Sequence, residues 1–556
     1  MAGTGRRERL RLRPTIGPGG PHGFGASGAL SGLSEASAAL RFARSLSGHL
    51  AQPLRSEEAH ARVVDGLRHR EANLARVLEE GVFAVPRSPY RALFEHAGIE
   101  PEDALRLVHD GGVDAALERF HDAGVYLTLE EFRCRTPIVR GALTLSPKPE
   151  DLDNPLAHGP AVTATGGSRG VARPLRVDVP HMEQRAVALS LTTEAHGLAG
   201  RPHAQWRPVP PGHNGISSAL GYAKCGTLLE RWFAQFPLTI DRRHWRHAAF
   251  TRATLWASRR AGAPIPRPEH VPLDRAEVVG RWLADRRAAG AAAVVNLPAS
   301  SAVRVSRAAL AEGLDISGTH FLVGGEPLTD GKAAVAGEAG CSIFCNYGMG
   351  ETGALGVGCS AREHLDEVHL LTDRVAVAQR ERAIGTAGAR VGALLYTTLL
   401  SSTPKLLVNV ESDDYGVLER RACGCPLDEL GLDLHLHRIR SYDKLQSEGM
   451  NFVGSLLYAL VEEVLPARFG GAPSDYQLVE EEVDGLPKVH LVASPRLGPL
   501  DEAEVVEVAL RTLDGGGAAR GMMAELWRAG ETLRVVRREP HATNAAKVLP
   551  LHVLRS

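Results

Sequence analysis

Lysine is scarce in this 556-residue chain, with seven lysines against fifty-seven arginines. Each lysine is therefore worth placing, and Lys547, in the closing stretch P-H-A-T-N-A-A-K-V-L-P, draws attention first. On its own a loop lysine is a solvated surface residue, so its meaning depends on segments upstream. Cysteine is sparse as well: seven, an odd number, which argues against a secreted disulfide framework. A formal net charge of -1 argues against nucleic acid as the main partner, because phosphate neutralisation needs a basic excess on at least one domain. No run approaches the roughly 18 consecutive apolar residues of a membrane-spanning helix. The cluster Arg6, Arg7, Arg9, Arg11 and Arg13 has no apolar run after it, so it reads as a tail and not a signal peptide, and the expected location is the cytoplasm. There is no internal repeat and no G-K-[ST] ending, which excludes a Walker loop.

A hydrophobic fraction of 44% and a charged fraction of 23% describe an ordinary globular composition. The length calls for two or three domains. Residues 1–32 are rich in Gly, Arg and Pro and read as a disordered tail. Helical patterns follow at 35–47 and 56–81, and then at S-P-Y-R-A-L-F-E-H-A-G, where Pro89 starts a helix and Gly98 ends it. The centre alternates apolar strand-like runs, such as 291–297 and 321–323, with helical stretches, as an α/β sheet does. Beyond 441 the character changes. Val453, Leu456, Leu457, Leu460, Val461 and Val464 share one helical face, with Pro466 as the stop. Strand-like 476–483 and 488–493 flank the Asp484-Gly485 hairpin signal. Asp501 with Glu504 begins another helix, and 533–536 reads as a last strand. The expected fold is α/β: a large multi-sheet domain over 33–441 and a small α+β domain over 442–556, joined by a hinge.

Several segments carry chemistry. Thr163-Ala164-Thr165-Gly166-Gly167-Ser168-Arg169-Gly170 gathers glycines, hydroxyls and one cation, so its backbone and side chains can approach phosphate oxygens closely; a plain surface loop has the same composition. In 321–327 an apolar strand runs into Gly324, Gly325 and Glu326, the place where ligands bind at the carboxyl edge of a parallel sheet. The design recurs at 343–353, where Gly348, Met349 and their neighbours let a flat ring lie on backbone, Tyr347 can stack, and Glu351 can hold Mg²⁺. Cys423-Gly424-Cys425, with Cys359 and His369, offers a Cys₃His zinc site of the closed, structural type. His364 or the His435/His437 pair are alternative nitrogen ligands, and reduced buried cysteines are the alternative to any metal.

The order of these segments, followed by E-S-D-D-Y-G at 411–416, R-I-R-S-Y-D-K-L-Q-S-E-G-M-N-F at 438–452 and the late lysine, resembles the adenylate-forming superfamily of acyl-CoA synthetases, adenylation domains and luciferases. Within it the chain looks most like the phenylacetate-CoA ligase branch, on S-P-Y-R, G-H-N-G-I-S-S-A-L-G-Y-A-K-C-G at 212–226, and C-G-C before the hinge. The resemblance spans about 88–552. It implies ATP, Mg²⁺ and CoA as reactants and cofactors, and a small, possibly aromatic carboxylic acid as substrate.

By the resemblance, 163–170 holds the β,γ-phosphates, Gly324–Glu326 with Asn346 and Tyr347 the adenine, Glu351 the Mg²⁺, and Thr352 the α-phosphate. Asp414 takes the ribose hydroxyls with Arg440 beside it, and Lys547 bridges carboxylate and α-phosphate. A hinge near Tyr442 and Asp443 lets the small domain rotate between half-reactions. Transfer to a carrier protein, a protein cysteine or an amine is an alternative, as is activation of a non-carboxylate oxyanion. A non-catalytic nucleotide binder is the reading from another class.

Overall fold

Apolar runs bounded by glycine and helix-capping residues build three main sheets in succession. The structure is a computed structural model that describes residues 45–157, 161–164, 174–177, 179–210, 212, 214–238, 245–384, 389–441, 444–447, 450–453, 457, 459–514, 518–541 and 551–553. Two short hairpins come first: β1 (Ile138–Arg140) with β2 (Leu143–Leu145), and β3 (Ala161–Ala164) with β4 (Pro174–Val177).

Six parallel strands follow: β5 (His203–Trp206), β6 (Leu229–Ala234), β7 (Pro268–His270), β8 (Val294–Leu297), β9 (His320–Val323) and β10 (Ser342–Cys345), in the order β10-β9-β8-β5-β6-β7. β5 and β8 are buried along their whole length, because helices cover both faces of such a sheet. The chain adds strands to one side of β5 and then returns to its other side. The gap between β5 and β8 is thus a topological switch point, with a crevice at the strands' carboxyl ends.

The second sheet is antiparallel: β11 (Tyr347–Met349), β12 (Gly353–Gly358), β13 (Val368–Leu370), β14 (Val375–Ile384), β15 (Ala389–Thr398), β16 (Val410–Arg420) and β17 (Leu434–Ser441), ordered β11-β12-β13-β17-β16-β15-β14. A further hairpin, β18 (Lys444–Ser447) with β19 (Met450–Val453), precedes the third sheet. That sheet combines β20 (Tyr476–Val483), β21 (Leu486–Ala493), β22 (Leu533–Arg537) and β23 (Leu551–Val553) in the order β22-β21-β20-β23. It has its own core, in which Leu460, Tyr476, Leu491 and Trp527 are fully enclosed.

Several expectations hold at residue level. The helix Pro89–His96 starts on its proline and is followed by Gly98 at φ 67°, and the β20–β21 turn takes positive φ at Asp484 (52°) and Gly485 (72°), as a tight hairpin requires. Asp501 caps the helix Glu502–Asp514 by accepting the Glu504 N–H at 3.1 Å. Others are corrected. Pro466 does not end a helix; it sits in the first turn of Leu465–Phe469, which continues from a π-helical turn over Leu460–Val464. The wider π turn spares the proline the hydrogen bond it cannot make, so the break expected from its missing N–H does not occur. Val453 closes β19 and is not part of that helix. The strand at 533–536 is not the last, since β23 adds in parallel to β20. Among the described residues no helix is long and apolar enough to cross a membrane.

Candidate active site

The two glycine turns meet at the carboxyl edge of the parallel sheet. Chain leaving β9 passes through Gly324, where an added Cβ would lie 2.8 Å from the Asn346 carbonyl oxygen, and Gly325 takes φ 93°. Only glycine permits that approach between the two turns. Glu326 is buried, and one carboxylate oxygen accepts from the backbone N–H of Ser300 and from its hydroxyl at 2.6 Å, tying down the first turn of helix Ala299–Glu312. The other oxygen is enclosed with no partner among the described residues.

Asn346 is anchored at both ends of its amide: Nδ2 donates to Thr192 Oγ1 at 2.9 Å, and Oδ1 accepts from Gly358 N–H at 3.1 Å. The side chain therefore staples helix Val179–Ala195 to β12, which leaves the backbone as the surface it offers a ligand. Tyr347 donates its hydroxyl to Asp414 Oδ2 at 2.7 Å and lies 2.8 Å from the Tyr396 hydroxyl. Burial, then the Asp414 charge, pushes the Tyr347 phenol well above its ordinary range, so it stays a donor. This bond welds the turn at 346–350 to β16. Gly348 has no room for a Cβ, which would press on the Gly353 carbonyl at 2.6 Å, and Met349 ends β11.

Glu351 and Thr352 form the turn between β11 and β12. The Glu351 carbonyl accepts from Lys405 N–H at 3.3 Å, while the Thr352 hydroxyl is buried with no partner among the described residues. Arg440 lies across from Tyr415 in the β16–β17 ladder, one residue from Asp414. Its Nη1 donates to Asp366 Oδ2 at 3.0 Å, and Asp366 also accepts the Arg438 and Ile439 N–H groups at 2.8 Å each. Asp366, which the sequence did not single out, sets the course of the strand that carries Arg440. Thr163 lies in β3. Thr165, Gly166, Gly167, Ser168, Arg169, Gly170, Tyr442, Asp443 and Lys547 lie outside the described residues.

The cysteine cluster assembles. One ligand atom from each of Cys359, His369, Cys423 and Cys425 lies within 4.8 Å of all the others. Cys359 Sγ is 3.8 Å from Cys423 Sγ, and His369 Nε2 is 3.5 Å from Cys423 Sγ and 3.1 Å from Cys425 Sγ. His369 Nδ1 sits 2.6 Å from the Leu432 carbonyl, which can only accept, so the proton is on Nδ1 and the Nε2 lone pair faces the three sulfurs. A hydrogen bond from the Cys359 thiol, opposed by burial and aided by His369, pushes the Cys425 thiol down, and the same bond, in which Cys359 keeps its proton, pushes Cys359 up together with burial. The His435 ring lies tilted against His369 at 4.1 Å, and His364 stacks on His437 at 3.9 Å. His369 is thus the nitrogen of the four-residue set, while His435 belongs to a neighbouring group with Cys359 and Glu367.

No protein-family model matches the sequence, and no curated protein matches it. Among solved structures the chain is similar to 2-hydroxyisobutyryl-CoA ligase in complex with 2-HIB-AMP and CoA in its thioesterification state. The match has 15% identity over 88% of this chain and 90% of that chain, with a TM-score of 0.52. This chain has the fold of that ligase. O-succinylbenzoate coenzyme A synthetase from Bacillus subtilis, in complex with ATP and magnesium, matches at 14% identity over 71% of this chain and 70% of that one, with a TM-score of 0.31. An acyl-CoA synthetase-like protein from Dyadobacter fermentans matches at 14% identity over 70% and 87%, with a TM-score of 0.27. The fold assignment rests on the first of these alone.

Proposed function

We propose that this chain is an ATP-dependent acid ligase that adenylates a small carboxylic acid and passes the acyl group to CoA. The observation that carries the proposal is the Tyr347–Asp414 hydrogen bond. Tyr347 and Asp414, 67 positions apart and given by the resemblance to adenine and ribose, share one part-buried contact beside the carboxyl edge of the parallel sheet.

The carboxylate attacks the α-phosphorus of ATP, the bond to the bridging oxygen breaks, and pyrophosphate leaves. The CoA thiolate then attacks the acyl carbon, and AMP departs with the former carboxylate oxygen. Positioning and charge stabilisation dominate such chemistry. Residues 163–170 cradle the β,γ-phosphates; the backbone at Gly324, Gly325 and Asn346, with the Tyr347 ring, frames adenine. Asp414 takes the ribose hydroxyls, with Arg440 at its side. Thr352, whose enclosed hydroxyl has no partner in the described structure, supplies a donor to an α-phosphate oxygen. Mg²⁺, held by Glu351, neutralises phosphate charge when bound. Lys547 brings a compact cation to the carboxylate and α-phosphate, and the unit from 442 onward rotates about Tyr442 and Asp443 for the second half-reaction.

A zinc ion bound by Cys359, His369, Cys423 and Cys425 completes the proposal. The soft, closed donor set and the fixed His369 tautomer suit zinc, and four protein ligands leave no open position, so its role is structural. The test of the central claim is ATP–pyrophosphate exchange across aryl and aliphatic acids, with and without CoA. Acid-dependent exchange, with thioester formed on adding CoA, is expected; no exchange with any acid overturns the proposal.

A further inference from the structure

The switch point between β5 and β8 holds two guanidinium groups without a neutralising acid. Arg207 directly follows β5 and is buried, with 6% of its surface exposed. Nε donates to Asn296 Oδ1 at 2.9 Å, Nη1 to the Gly324 carbonyl at 3.1 Å, and Nη2 to the Leu297 carbonyl at 3.0 Å. These three acceptors are neutral and come from β8 and the turn after β9, so the guanidinium spans the carboxyl ends of three neighbouring strands. Arg185, on helix Val179–Ala195, lays its stem against helix Asn214–Lys224, where an added Cβ on Gly221 would be 3.5 Å from Arg185 Cγ. Its Nε is enclosed with no partner among the described residues.

Among the described residues neither guanidinium forms an ion pair. The nearest acid to influence Arg207 is Glu326, one oxygen of which is spent on Ser300. Burial, then the Arg185 charge, depresses Arg207 to about 9, and burial lowers Arg185. The polar groups between them are also neutral. Asn296 Nδ2 donates to Ser218 Oγ at 3.1 Å and to the Tyr222 hydroxyl at 3.5 Å, and burial raises the Tyr222 phenol to about 12. Arg207 is enclosed, and Arg185 is partly exposed with its Nε enclosed; two neighbouring cations with no ion pair among the described residues favour an anion that arrives to share the space. Arg207 lies at the place in an open α/β sheet where ligands bind.

We infer that Arg185 and Arg207 form an anion subsite within the acid-binding crevice, and that the acid activated here carries a second carboxylate, which remains unreacted and pairs with them. The inference rests on the adenylation proposal and adds the substrate class to it. Ser218 and Tyr222 belong to the small-residue segment at 212–226, so the group recognised lies on the side of Arg207 that faces this segment, while Nη1 on its other side is tied to the Gly324 turn. A neutral acid would leave both guanidinium groups unpaired, a loss larger than that of one apolar contact.

The experiment is ATP–pyrophosphate exchange on the full chain with isophthalate, terephthalate and adipate, each against its monomethyl ester. The wild type should favour at least one diacid over its ester by about tenfold or more in kcat/KM, the effect of a charge-assisted bidentate pair. Arg185→Met, which keeps the stem's packing, should bring that ratio close to one through KM for the acid, with KM for ATP unmoved. Arg185→Lys should restore part of it. Exchange that prefers the esters, or a ratio unchanged in Arg185→Met, overturns the subsite and leaves adenylation standing. No exchange with any acid removes both. The wild-type comparison needs no variant, so misfolding of Arg185→Met would not shield the inference.

Discussion

At the scale of single residues, the scarce lysines divide by role. Lys224, Lys332 and Lys405 are buried, and each ammonium is held by backbone carbonyls: His49 and Gln52, with the Glu183 carboxylate at 3.4 Å, for Lys224, Pro327 for Lys332, and Pro149, with the Asp153 carboxylate, for Lys405. In an arginine-rich chain lysine thus persists where a compact point charge fits and a planar fork does not. Scarcity therefore singles out constrained positions without saying which are catalytic, and Lys547 rests on motif order. Lys547→Ala is expected to abolish acid-dependent exchange while ATP still binds, as read by exchange and calorimetry. Activity equal to wild type would sink the proposed role. Tyr347→Phe removes one hydrogen bond to a buried carboxylate, and should weaken ATP binding by about 1.5–3 kcal/mol; Asp414→Ala should weaken it at least as much, because Tyr347 then loses its acceptor too. Unchanged ATP affinity in both variants would separate this pair from the nucleotide.

At the scale of elements, the strands around the glycine turns were legible because apolar runs ending in Gly-Gly or Tyr-Gly leave few alternatives to a strand followed by a tight turn. The hairpin at Asp484-Gly485 was legible for the same reason. What composition concealed were long-range choices: Asp366 steering β17, the π turn before Pro466, and β23 joining the third sheet in parallel. The first and the last depend on a partner far along the chain, and the π turn is a choice of hydrogen-bond register that composition does not encode. The cysteine cluster lies between these cases. Its ligand types could be read, but the choice of His369 over His364, His435 or His437 needed the Leu432 carbonyl to fix a tautomer. The cluster joins the chain after β12, the middle of β13 and the loop between β16 and β17, and so braces the strand carrying Asp414. Metal analysis of protein purified without chelator should give about one zinc per chain, and Cys423→Ser or a strong chelator should lower Tm by several degrees, as loss of a structural zinc does. Less than about 0.2 zinc per chain would remove the site.

At the scale of the molecule, the unit of the third sheet touches the first part of the chain through its β20–β21 hairpin and the turn before β22. Thr329 caps helix Asp330–Glu338 by accepting the Lys332 N–H, and donates its hydroxyl to Glu482 at 2.6 Å. Arg307 donates to the Asp484 carbonyl, and Arg304 to the Gly530 carbonyl at 3.2 Å. These contacts are polar, but Leu526 of helix Ala518–Ala529 is buried in the core of the first part of the chain, so the arrangement is held by apolar packing together with hydrogen bonds that can exchange with water. If the two half-reactions use two arrangements of these units, a contact made in only one of them cannot be neutral to the cycle. Glu482→Ala removes a charged acceptor worth about 1.5–3 kcal/mol, enough to move a two-state balance by roughly ten- to a hundredfold. Pyrophosphate exchange and thioester formation, measured on the same preparation, should then change in opposite directions. A parallel fall in both would mean that the contact serves stability alone. No change in either would mean that the hairpin contact has no part in the cycle, and that whatever sets the balance between half-reactions lies elsewhere along the junction.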